Sequence, residues 1–283
     1  MLFASFCFAV MGGFAKELSK DFSAIEVVFF RNIFGIAFLL ITMLKYPITQ
    51  KGGKFWLLFF RGFIGFLALL AFFYNIAHIS LAESMTYSRL SPVFTALFAY
   101  IFLKEKLYAY GWAGVFLGFI GILFITRPSG IYDFDKYDLL GIFSGVGAAL
   151  AYTAVRELRE YYDTRSIVLS FMIIGTIGPM VLMAVSLFYT PPDLDYLFAK
   201  FIIPEAKSWV WIVLLGFSAT LAQVYMTKAY ASTKAGIVGA ISYSNIIFSI
   251  FIGVLLGDNF PDFYTSIGIV LIITAGILVV KSK

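Results

Sequence analysis

The sequence predicts an all-α integral membrane protein with ten transmembrane helices in two inverted five-helix repeats. Three observations predict it: apolar runs long enough to cross a bilayer recur along the whole chain, Lys and Arg gather in alternate connections, and the two halves echo each other. Hydrophobic residues make up 61% of the 283 and charged residues 13%, where soluble domains carry about a quarter charged residues. Such a chain cannot hide its apolar surface from water, so the bilayer acts as its solvent.

A helical span needs about 20 mostly apolar residues, and charges, Pro and Gly punctuate the runs. The first helix, 1–18, ends in Lys16-Glu17-Leu18; with no basic start and no small-residue cleavage site it reads as a mature helix, not a signal peptide. The next two, 24–44 and 55–77, are rich in Phe, Leu and Ile. The fourth, 81–103, carries Pro92, and the fifth, 107–126, is spaced by Gly. The second half repeats the plan at 139–158, 166–188, 208–229, 234–256 and 263–280. The longest connection, Tyr189 to Lys207, holds Pro191-Pro192 and Pro204 and reads as an extracytoplasmic loop.

An inside N-terminus places Lys45, Lys51, Lys54, Lys104, Lys106, Arg156, Arg159, Arg165, Lys228, Lys234, Lys281 and Lys283 in the cytoplasm. The other side receives Lys16, Lys20, Arg127, Lys136, Lys200 and Lys207. Twelve against six predicts both termini cytoplasmic in the inner (plasma) membrane. The net charge of +5 is spread over these connections, which marks topology and not a nucleic-acid partner. With one Cys and one His, neither a disulfide nor a Cys/His metal site can be built within the chain, and no cofactor is expected. The expected partners are a small-molecule substrate and the lipid bilayer, with the chain a monomer or a homodimer.

The halves match at fixed spacing. Leu90-Ser91-Pro92-Val93-Phe94 leads to Leu103-Lys104-Glu105-Lys106-Leu107, and Tyr243-Ser244-Asn245-Ile246-Ile247 leads to Leu256-Gly257-Asp258-Asn259-Phe260. Gly121-Ile122-Leu123 then pairs with Gly276-Ile277-Leu278, and Lys16-Glu17-Leu18 with Arg156-Glu157-Leu158. Five helices per half is odd, so the second copy enters the membrane from the opposite face. The expected units are 1–128 and 139–283, an arrangement from which alternating-access transporters are built around a midplane site.

With Phe29-Phe30-Arg31 in the second helix, these motifs resemble the drug/metabolite transporter superfamily, and within it the EamA branch, over essentially the whole chain. The resemblance implies secondary transport or exchange through a central cavity formed by the first four helices of each half. The second half departs from the pattern, with Asn245 opposite Pro92 and Asp258 opposite Glu105. Ile25 to Arg31 and Phe60-Arg61-Gly62 are also similar to members proposed to move S-adenosylmethionine.

Ionisable groups within the hydrocarbon are expensive, so each is a candidate for function. Arg89, about 12 Å into the fourth helix, is the leading candidate to hold a carboxylate or phosphate; pairing with helix-end carbonyls or with Glu83 is the competing explanation. Arg31 lies at similar depth and suits a structural, gating or substrate role. Arg61, near a helix end, is expected to snorkel to the headgroups. Ser84, Ser88, Ser91 and Thr95 share one face of the fourth helix and suit either a cavity or close helix packing, with Tyr87 beside Ser88. Pro92 frees a carbonyl one turn from Arg89.

Ser242 and Asn245 offer similar polar groups in the ninth helix. Tyr74, Asn75, Tyr152, Gln223 and Tyr225 complete the candidate substrate site, although any one aromatic here is as readily packing or interfacial belt. Glu83 could couple transport to protons, but its place in the first turn favours an ordinary carboxylate. Glu105 and Asp258 read as helix-end or loop-fixing residues.

The function expected is a secondary carrier for a small organic metabolite, an amino acid or related compound, working by alternating access in export or exchange. No G-x-x-x-x-G-K-[ST] sequence occurs, so this chain supplies no P-loop for ATP. Uptake of S-adenosylmethionine or a nucleotide-like metabolite is the alternative within the class. A channel or a non-transporting receptor is the alternative outside it. An enzyme is not expected, because a chain with one His lacks an intramembrane catalytic constellation.

Overall fold

The computed structural model describes residues 1–46, 48, 50–102, 108–126, 135–191, 194–232 and 241–281, and among the described residues every regular element is helical. In chain order they are α1 (Leu2–Leu18), α2 (Ala24–Lys45), α3 (Phe55–His78), α4 (Leu81–Ser88), α5 (Ser91–Phe102), α6 (Ala109–Thr126), α7 (Lys136–Leu158), α8 (Thr164–Val185), α9 (Ser208–Ser232), α10 (Ser244–Leu255) and α11 (Phe263–Lys281). Five described helices, α2, α3, α7, α8 and α9, are long and apolar enough to cross a membrane. Outward faces are apolar to match: Leu44, Leu255 and Phe188 are each at least 85% exposed. In water these residues would drive aggregation; against lipid they are at no disadvantage.

Helix starts are set by side chains that satisfy the first free N–H groups. Capping boxes formed by Ser23 with Glu26, Ser80 with Glu83, and Asp135 with Asp138 open α2, α4 and α7. At α8, Asp163 accepts from the Arg165 N–H at 2.8 Å. Gly257, at φ +97°, turns the chain sharply after α10.

Most boundaries agree with expectation to within about a turn, but the single helix expected over 81–103 is two. Arg89 N–H donates to both Met85 and Thr86 carbonyls, and Leu90 N–H to Tyr87, which tightens the last turn of α4. Pro92 then has no N–H to return to the Ser88 carbonyl, and the helix restarts as α5. The second half breaks at the matching place: residues 241 and 242 are helical, Tyr243 is a turn, and α10 begins at Ser244. The part of the expected helix 234–256 before 241 lies outside the described residues. So do Lys104 to Leu107 with Glu105, and Arg127, Pro192, Lys234 and Lys283.

Packing between the halves is reciprocal. α3 lies on α7 and α8, and α9 lies on α1 and α2; α5 lies on α7, and α10 on α1; α2 meets α8, and α6 meets α11. Each helix break is seated on a glycine. A Cβ on Gly276 would stand 1.9 Å from the Tyr243 ring, and one on Gly145 would stand 2.6 Å from the Tyr87 carbonyl oxygen. Backbone cannot yield as a flexible side chain can, so Gly145→Ala is expected to destabilise by about 1–3 kcal/mol through overpacking. At about 2–4 °C per kcal/mol, thermal unfolding of the purified variant reads this directly.

Candidate functional site

Between the halves lies a cavity of about 80 Å³, room for several waters. It is built from single faces of several helices. Arg61, Gly65, Ala68, Leu69 and Phe72 line it from α3, and Ser144, Ala148, Ala151 and Tyr152 from α7, both runs recurring at helical spacing. Met85, Ser88 and Arg89 approach at the end of α4, with Arg31 from α2, Phe171 from α8 and Gln223 from α9. Arg31 follows the start of α2 by seven residues and Arg61 the start of α3 by six. At about 1.5 Å per residue, each guanidinium stands roughly 10 Å along its helix from the start.

Arg31, Arg61 and Arg89 are 1%, 3% and 6% exposed. Among the described residues no Asp or Glu lines the cavity. Arg31 Nη1 donates to Asn32 Oδ1 at 2.6 Å, and Asn32 Nδ2 donates onward to the Gly175 carbonyl at 2.8 Å. Arg89 Nε donates to Asn245 Oδ1 at 3.1 Å, and Asn245 Nδ2 donates to the Ser5 carbonyl. Among the described residues, Arg31 Nε and Arg61 Nε and Nη1 are buried with no hydrogen-bond partner.

The Arg61 and Arg31 guanidinium carbons stand 4.6 and 5.5 Å from the Phe171 ring centroid, and Arg89 stands 5.6 Å from that of Phe8. The two that share Phe171 are thus no more than about 10 Å apart, and repel by at least about 1.7 kcal/mol at an effective dielectric of about 20. Cation–π contact returns about 0.5–2 kcal/mol each, less than the several kcal/mol that removing a charge from water costs. Among the described residues, the contacts of Arg31 and Arg61 therefore do not offset the cost of burying them.

Polar contacts between the halves cross the Asp258 end of the bundle. Lys16 forms an ion pair with Asp258, whose Oδ2 also accepts from Leu81 N–H at 2.9 Å. Tyr87 donates to Asp138, and Asn75 Nδ2 to the Tyr137 carbonyl at 2.8 Å. Tyr74 donates to Asp195 Oδ2 at 2.6 Å and accepts from Lys136 at 2.7 Å. Buried Glu26 accepts from Ile202 N–H at 2.5 Å, which fastens the long connection over this end.

Burial pushes the Asp195 carboxyl up, but the Tyr74 hydrogen bond and the Lys136 charge outweigh it, so it ionises below the usual carboxylate range. A lowered folded-state value stabilises above the unfolded value, about 4, and that contribution is lost as pH falls through the folded one. The clamp is therefore expected to hold at neutral pH and release only below about pH 4, seen as a loss of amide-exchange protection over 194–203 relative to the intrinsic rate at each pH.

The structure brings five sequence candidates to the cavity: Arg89, Ser88, Tyr152, Gln223 and Arg31. Others lie elsewhere. Tyr74, Asn75 and Tyr87 sit toward the Asp258 end and bond loop or α7 groups. Tyr225 is 45% exposed, edge-on to Phe3 and near Lys228, and faces outward. Ser91 and Ser242 are buried in helix packing beside the breaks. Asn245 accepts from Arg89 Nε, Pro92 lies at the break, and Glu83 caps α4.

Arg61 departs most from expectation: it is buried against Phe171 and does not reach the headgroups. Its face on α3 was the available signal, since Gly65, Ala68 and Phe72 follow it on the same side. Phe171 and Ser144 carried no such mark.

The model of the EamA-like transporter family matches residues 1–127 and 135–281. An uncharacterized transporter of Helicobacter pylori is 36% identical, covering 99% of this chain and 92% of its own. The pseudopaline exporter CntI of Pseudomonas aeruginosa is 31% identical over 99% of this chain and 94% of its own. The S-adenosylmethionine uptake transporter of Rickettsia bellii is 23% identical, covering 95% and 88%. A solved crystal structure aligns with a TM-score of 0.61 over 96% of this chain and 94% of its own at 16% identity, a likeness of fold.

Proposed function

The chain belongs to the EamA-like transporter family of the drug/metabolite transporter superfamily, and from that premise we propose that it is a secondary carrier moving a small organic metabolite across the inner membrane by alternating access. The observation that carries this reading is the arginine-lined cavity between two reciprocally packed halves, with polar contacts joining the halves at the Asp258 end. Two further features support the inverted repeat of ten spans: the family model matches in two segments, and the helices break at equivalent positions near Leu90 and Tyr243. Discontinuous helices at a repeat interface are how many carriers present backbone groups to a solute.

The Lys and Arg distribution favours an outside location for the Asp258 end, and on that orientation the polar contacts at that end support a state closed to the exterior. Export or exchange is favoured over uptake of S-adenosylmethionine. The pseudopaline exporter is the more similar of the two relatives, and a cavity lined by three guanidinium groups repels a cationic solute.

Purified protein in liposomes is expected to show counterflow, with labelled solute accumulating against a preloaded pool of the same solute without ATP. The panel spans anionic, neutral and cationic metabolites. If none of them exchanges into liposomes holding folded protein, the carrier reading fails. Flux proportional to a gradient with no counterflow would indicate a channel instead.

A further inference from the structure

Three buried cations come from the first half alone. Arg31, Arg61 and Arg89 lie on α2, α3 and the end of α4, whereas the second half faces them with Phe171, Ser144, Tyr152 and Gln223. In the matched motifs Arg89 corresponds to Ser242, so the second half does not repeat that charge. Among the described residues no acidic side chain lines the cavity, and Arg31 Nε and Arg61 Nε and Nη1 are buried donors without acceptors. Buried donors are nearly always satisfied in folded proteins. A guanidinium presents its donors as a planar fork matched to the paired oxygens of a carboxylate or phosphate. A singly charged anion would still leave one of the two guanidinium groups that share Phe171 without a counter-charge.

We propose that the solute this carrier moves is a polyanion, with two or more carboxylate or phosphate groups gathered by Arg31, Arg61 and Arg89. The inference rests on the carrier reading and adds the chemical class of its substrate. Phe171, with two cations over it, braces both Arg31 and Arg61. The solute then provides the acceptors that the protein does not.

The test is thermal unfolding of the purified protein in detergent with a charge series on similar skeletons: tricarballylate, succinate, succinamate and succinamide, with pyrophosphate and putrescine beside them. Stabilisation by a ligand rises with its concentration over its dissociation constant. The expected result is a dose-dependent rise in melting temperature for the polyanions, at least tenfold weaker in apparent affinity for succinamate and none for succinamide or putrescine. The larger response between succinate and pyrophosphate tells carboxylate from phosphate. Equal stabilisation by succinamide or putrescine, or none by any polyanion, overturns the proposal.

Arg61→Met separates a ligand-binding from a structural arginine. It removes a buried charge with unpaired donors, so the unliganded protein is expected to melt higher while the polyanion response weakens at least tenfold. Arg61→Lys, which keeps the charge and loses the fork, is expected to fall between Arg61→Met and the parent. An Arg61→Met protein that melts lower yet responds unchanged overturns the assignment. The liposome counterflow assay keeps the two readings apart. Exchange of neutral or cationic solutes only overturns the polyanion and leaves the carrier, whereas no exchange of any class removes the carrier itself.

Discussion

Arg89→Ala is expected to reduce transport about 100-fold, the largest loss among single substitutions at the cavity. A hydrogen bond to a charged group contributes about 1.5–3 kcal/mol, and the Arg89 fork can offer a solute two of them, so the upper part of that range applies; 2.8 kcal/mol corresponds to about 100-fold. The substitution also takes away the donor to Asn245 Oδ1, which is buried. Asn245→Leu isolates that second effect. It leaves the guanidinium in the cavity but without its brace, so KM is expected to rise about tenfold with a smaller change in maximal rate. Arg89→Lys keeps the charge and loses the fork, and is expected to lie between the two. Counterflow rates for the three variants, compared at matched amounts of folded protein, check the order. Transport by Arg89→Ala equal to that of the parent would remove Arg89 from the site.

Much of the architecture could be read in the sequence because bilayer thickness ties helix length to an uninterrupted apolar run. Two features escaped that argument. One is the break at Arg89 and Leu90: Pro92 signalled lost backbone bonding, but a proline by itself does not distinguish a kink from a restart. The other is which way a buried side chain faces. Depth along α3 placed Arg61 near a membrane edge, yet its exposure is set by its direction around the helix axis and by what packs there. Phe171 and Gly65 turn that face toward α8 and α7. Tyr74, Asn75 and Tyr87 were drawn to the candidate site by their polarity, but polar groups near helix ends have loop and capping partners within reach. For these three the partners are Asp195, Tyr137 and Asp138.

The echoed motifs carry more than symmetry. Lys16 stands in one of them and Asp258 in another, and the structure joins the two as an ion pair between the first helix of one half and the turn after α10 in the other. The same carboxylate accepts from Leu81 N–H, and Lys16 also reaches the Ile79 carbonyl at 3.4 Å. One contact thus ties α1, the start of α4 and the end of α10 together. The side chains are 20% and 15% exposed, so Asp258→Ala leaves Lys16 largely buried without its counter-ion. Breaking a buried pair from one side destabilises by about 3–5 kcal/mol; the partial exposure here places this one near 3.

A state open at this end lets Lys16 reach water and escapes that penalty, so the population is expected to shift toward it by about 100-fold. The readout is a cysteine at Ser144 on the cavity wall, in a Cys7→Ala background, labelled by a membrane-impermeant maleimide added on the Asp258 side. Asp258→Ala is expected to raise the labelling rate by up to about 100-fold. Lys16→Asp combined with Asp258→Lys is expected to restore protection in part, because the reversed pair keeps the attraction but loses the cap on Leu81. If labelling in Asp258→Ala matches the parent, the pair is a structural tie and the moving barrier lies elsewhere in the bundle.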